Sequence, residues 1–94
     1  MNEIIIPAKE LHLAAEQFKN TGNDTRSSLE NLDSVIGALE QKWSGSTQQV
    51  FYKKYKDLHQ AMEGMIALMA NIANEMHAMA DRMDEFDSKD DHNG

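Results

Sequence analysis

The residues of this chain best suited to chemistry are four histidines, seven methionines and a single tryptophan; there is no cysteine. Met76, His77 and Met79 together suit copper(I), which favours thioether ligands. Their spacing has a plainer source. Met62, Met65, Met69, Met76, Met79 and Met83 repeat in steps of three and four, and the pattern runs on through Leu58 and Ile72. That is the placement of an adaptable apolar core residue, which can also repack against more than one partner. His12, His59, His77 and His92 include no i, i+4 pair and no H-E-x-x-H, so the spacing identifies no metal site. Ser, His and Asp on a small helical scaffold have no concave pocket in which to assemble a triad. The expectation is a protein without catalytic residues, metal or cofactor.

The elements that carry these residues are two heptad-patterned segments. The first seam is Ile4, Ala8, Leu11, Ala15, Phe18, Gly22, Thr25, Leu29, Leu32, Ile36, Leu39, Trp43; every step is 3 or 4, in alternation. Pro7 suits the first helical turn, where its missing N–H costs nothing. Around Gly22, the run Asn20-Thr21-Gly22-Asn23-Asp24 is rich in weak helix formers. It predicts a locally loose or kinked helix, although a small residue on the seam would also allow a second helix to approach closely. The second seam is Phe51, Tyr55, Leu58, Met62, Met65, Met69, Ile72, Met76, Met79, Met83, Phe86, flanked by Tyr52, His59, Ile66, Ala73 and Ala80. That flanking row makes the apolar face wider than a two-stranded coil needs.

Between the seams, Gly45 can adopt the positive φ that ends a helix. Ser46 and Gln49 have the spacing of a capping box. The predicted fold is all-α: one domain over residues 1–94, with a first helix over about 7–42, a turn over 43–46, a second helix over about 47–86 and a polar, acidic tail over 87–94. Matched lengths and a short connection predict an antiparallel hairpin. Two helices cannot enclose the wider face, so two hairpins should pair into an elongated four-helix bundle.

Composition sets further bounds. The formal net charge is −7, which argues against a nucleic-acid partner. Six acidic and two basic residues fall between Asp81 and Gly94. The longest nearly uncharged stretch, Gly64 to Asn74, is far shorter than the roughly 20 apolar residues of a spanning helix, and the polar faces lack the cationic character of an interfacial helix. Stable membrane insertion is therefore not expected. No cleavable signal peptide is legible in Met1 to Pro7. The protein is expected in the cytoplasm or exported by a route that needs no such signal.

Trp43-Ser44-Gly45 lies between the two seams, near the midpoint of the chain. Two heptad helices of about a hundred residues with W-x-G at the turn resemble the WXG family of small type VII secretion substrates, the ESAT- or Esx-like proteins. The resemblance covers Pro7 to about Asp90. It implies a dimerising helical hairpin, a homodimer in many Gram-positive bacteria. It also implies export in the folded state by a membrane complex driven by an FtsK/SpoIIIE-type ATPase. Members serve as secreted effectors, virulence factors or escorts of larger co-secreted substrates. Trp43 and Gly45 match the turn motif. The family's C-terminal Y-x-x-x-D/E signal has its nearest counterpart in Phe86 and Asp90, with Phe in place of Tyr; His77 and Asp81 share the spacing. The rival reading is a cytosolic helical scaffold with no export role.

Overall fold

A computed structural model describes the backbone of residues 6–93 and the side chains of residues 6–85. It contains two helices, α1 (Ala8–Glu40) and α2 (Ser46–Asn93), folded back on one another. Pro7 stands immediately before α1, and its carbonyl accepts hydrogen bonds from the Glu10 and Leu11 N–H groups at 2.9 and 3.3 Å. Proline is well suited to this boundary, because the helix asks no N–H of it there. α1 closes with the Lys42 and Trp43 N–H groups both donating to the Leu39 carbonyl, at 2.9 and 3.0 Å. Gly45 then reverses the chain at φ 110°, a conformation that side-chain-bearing residues rarely adopt.

Two sequence expectations change. The Gln49 N–H donates to the Gly45 carbonyl at 3.2 Å. Gly45, rather than Ser46, therefore holds the capping position of α2. The helices are also unequal, with 33 residues in α1 and 48 in α2. Instead of ending at residue 86, α2 continues through the polar segment to Asn93, since no proline or glycine falls between residue 86 and Gly94. At 1.5 Å per residue its length is about 72 Å, which accounts for the molecule's 73 Å long axis.

The structure also shows where the helices touch. The buried residues of α1 are Ala8, Ala15, Gly22 and Leu29, one heptad row of the first seam. Those of α2 are Ile66, Ala73 and Ala80, the row that flanks the second seam. Small side chains dominate this contact, and helices can approach closely over such residues. At Gly22, a Cβ would lie 3.6 Å from the Met69 Cβ and 3.9 Å from the Ile66 carbonyl oxygen. The glycine sits in continuous helix, so the expected loose stretch is not found; the small residue instead lets the second helix approach closely.

Candidate functional site

The residues left over by this alanine-rich contact form the most prominent surface of the hairpin. In α1, Leu11, Phe18, Leu32 and Leu39 stand three positions after the buried row, a rotation of about −60° around the helix axis. In α2, Met62, Met69 and Met76 stand three positions after the row Tyr52, His59, Ile66, Ala73, Ala80. Leu58, Met65, Ile72 and Met79 stand one position before it, at about −100°. These offsets have the same rotational sense. In an antiparallel pair they bring both rows to the same side, and Phe18 and Met69 indeed line one shallow depression there. Phe18 is 37% exposed, Leu58 47%, Met65 55% and Met79 45%. Leu11, Ile36, Phe51, Tyr55, Met62, Met69, Ile72, Met76 and Met83 are half-buried. Among the described large side chains of the two seams, Leu29 alone is buried by the hairpin itself, at 3% exposure. No large side chain among the described residues is completely buried.

The W-x-G turn closes one end of the molecule with an aromatic cluster. The Trp43 ring centroid lies 5.3 Å from Phe51 and 6.4 Å from Tyr52; Phe51 in turn lies 5.7 Å from Tyr52 and 6.4 Å from Tyr55. These separations suit offset or tilted aromatic packing. Trp43 is half-buried and presents its remaining surface at the tip. Phe86 and Asp90 fall on the α2 helix but outside the residues whose side chains are described.

Polar clasps join the helices at two levels, near the turn and at the open end. Near the turn, Asp33 accepts hydrogen bonds from the Tyr55 hydroxyl at 2.5 Å and from His59 Nε2 at 3.1 Å, while His59 Nδ1 lies 2.9 Å from Glu63 Oε1. The bond from Tyr55, followed by that from His59, holds the Asp33 carboxyl below its ordinary range. Partial desolvation between the helices, reinforced by the bond to Asp33, pushes the Tyr55 phenol up to about 12. At the open end, His12 Nδ1 meets His77 Nδ1 at 2.7 Å, and His77 Nε2 meets Glu16 Oε2 at 2.9 Å. His12 Nε2 faces Asp81 Oδ1 at 3.5 Å and Asp84 Oδ2 at 3.6 Å. Local spacing within one segment did not reveal either clasp, because each is assembled across the hairpin.

The fold and its turn define a two-helix protein that leaves one long apolar face to be covered and carries an aromatic W-x-G tip. The chain belongs to the WXG100 family, described as proteins of 100 residues with WXG, which matches residues 3–88. Among solved structures, the secreted protein EsxB of Bacillus anthracis is similar, with a TM-score of 0.82 and 32% identity over 93% of this chain and 99% of that one. EsxA of Geobacillus thermodenitrificans has the same fold, with a TM-score of 0.82 and 21% identity over 95% and 96% of the two chains. An uncharacterised protein of Clostridium acetobutylicum is 21% identical over 90 residues, which is 96% of this chain and 94% of that protein.

Proposed function

We propose that this protein is a substrate of a type VII secretion system, exported without a cleavable signal peptide as a homodimer and acting through protein contacts. The observation that carries the reading is the continuous apolar face running down both helices of a WXG100 hairpin. Small buried residues hold the hairpin together, while its large apolar side chains remain available to a second copy. Covering them produces the elongated four-helix bundle. Membership of the WXG100 family and the likeness to the secreted EsxB support the export route. None of the described helices is long and apolar enough to cross a membrane.

Trp43 and Gly45 form one half of the export signal in this reading, and Phe86 with Asp90 forms the other. Phe86 lies about 40 residues beyond the turn, roughly 60 Å along the helix. In an antiparallel dimer, the tip of one hairpin approaches the C-terminal part of its partner. The two halves of the signal then meet only once the dimer has formed, and the complex is recognised by an FtsK/SpoIIIE-type ATPase. Once outside the cell, the dimer serves as an effector or virulence-type factor.

The methionines of the face support a second reading, escort of a larger co-secreted substrate. Met65 and Met79 are well exposed, and flexible thioether side chains repack readily against a different partner. Immunoblotting of culture supernatants from cells with and without the ATPase tests the first reading. The protein is expected outside the cell only when the ATPase is present; release that does not depend on it would refute export by this route.

A further inference from the structure

The histidine cluster at the open end contains a mismatch in its protons. A contact of 2.7 Å between His12 Nδ1 and His77 Nδ1 needs one N–H and one lone pair. His77 Nε2 lies 2.9 Å from a Glu16 carboxylate oxygen, which can only accept, so the N–H is on that nitrogen. With both rings neutral, His77 therefore accepts at Nδ1 and His12 donates from Nδ1. His12 Nε2 is left as a bare lone pair, and it faces the carboxylates of Asp81 and Asp84. Three electron-rich donors converge, each able to supply one ligand atom, with all three atoms within 4.8 Å of one another.

The distances leave room for an ion between them. A proton on His12 Nε2 would draw a carboxylate to about 2.7–2.9 Å, the distance seen at Glu16. The 3.5 and 3.6 Å separations to Asp81 and Asp84 exceed that reach. They match the edge of a coordination tetrahedron, since bonds of about 2.0–2.2 Å at tetrahedral angles place ligand atoms roughly 3.3–3.6 Å apart. His12 is also oriented as a metal-bound histidine is: its other nitrogen donates to a fixed acceptor, His77, which Glu16 holds in turn. Asp81 and Asp84 are 74% and 60% exposed and can close on an ion without disturbing the core.

We propose that His12 Nε2, Asp81 and Asp84 bind one zinc-class divalent cation, with His77 and Glu16 positioning the His12 ring. One imidazole and two carboxylates form a three-ligand set that leaves a fourth position for water. His12 belongs to α1 and both aspartates to α2, so the ion clamps the open end of the hairpin. All five residues lie on the side away from the apolar face, and the site stays accessible when a second copy covers that face.

The test uses tag-free, chelator-treated full-length protein, titrated with zinc chloride by calorimetry and followed by thermal unfolding. One zinc per chain and a raised melting temperature are expected. Cobalt(II) in its place should show the strong visible absorption of a tetrahedral site. D81N/D84N and H12Q should each lose at least about tenfold in affinity, and H77Q about 10–100-fold. H59Q, in the other clasp, should bind as the parent does. The absence of saturable binding, zinc affinity that survives D81N/D84N, or an equal response to magnesium or calcium would overturn the proposal. In each case the cluster would be a proton-mediated ion pair only.

Discussion

At the scale of single residues, the clasp near the turn gives the fold a definite response to pH. The Tyr55 phenol is raised from its ordinary 10.0 to about 12, so the folded state favours the neutral form. The stability this supplies is complete below pH 10 and is lost as the pH rises from about 10 to about 12. Tyr55→Phe should flatten that alkaline decline in thermal stability relative to the parent; an unchanged decline would show that other groups cause it. Asp33 behaves in the opposite sense. Its lowered value stabilises the hairpin above the ordinary carboxyl range, and that contribution disappears as the pH falls through the lowered value. Gly22 offers a mechanical test. An added methyl group would meet Met69 and Ile66 at ordinary van der Waals distances, 3.6 and 3.9 Å. Gly22→Ala should therefore raise stability by roughly 0.5–1 kcal/mol through helix propensity. Gly22→Leu should wedge the helices apart and cost about 1–3 kcal/mol; chemical denaturation of both variants separates the effects. Gly45 has no neighbour within 4 Å of a Cβ but sits at φ 110°. Any loss in Gly45→Ala, of order 1–3 kcal/mol, would then report backbone strain and not a clash.

At the scale of the helices, the hairpin was legible because a strict 3–4 spacing on both sides of a single Gly-containing break has few other solutions. Which row of each helix faces the other was not. In α2 the seam and its flanking row read as one wide apolar face, and the structure gives the intramolecular contact to Ile66, Ala73 and Ala80 of the flanking row. Heptad periodicity shows that a face is apolar, but it does not divide a wide face between an internal partner and an external one. Small residues go where backbones approach closely, and large ones are left for a second surface. The clasps were hidden for a related reason. The pairing of His12 with Asp81 and Asp84, like that of Asp33 with Tyr55 and His59, depends on the register between antiparallel helices. That register is set by the turn and by the match of Gly22 to Met69 and Ile66.

At the scale of the whole molecule, the ratio of small buried to large exposed apolar residues is what supports the proposed dimer. An isolated hairpin whose described residues include no fully buried large side chain gains little from burial, and a chain of this size is marginal without further cover. The exposed apolar row also exceeds what a monomeric surface ordinarily presents as scattered residues. Placing charge on the face should therefore separate association from helix formation. Met65 is 55% exposed and does not belong to the buried row, so Met65→Glu alters the outer face while leaving the contact between α1 and α2 intact. In a symmetric dimer, each substitution is made on both copies and buries two carboxylates against apolar surface, at a cost of several kcal/mol. Light scattering should show the parent as a dimer and Met65→Glu as a monomer of reduced thermal stability. A charge on the far side of the hairpin, as in Lys19→Glu, should leave the dimer unchanged. The proposed two-part export signal makes a further demand on the same variants. If Trp43 of one copy must meet Phe86 of the other, Met65→Glu should abolish ATPase-dependent export although both motifs are intact. Trp43→Ala and Phe86→Ala should block it while the dimer persists. A monomeric Met65→Glu protein that still reached the supernatant would show that each chain carries its signal alone.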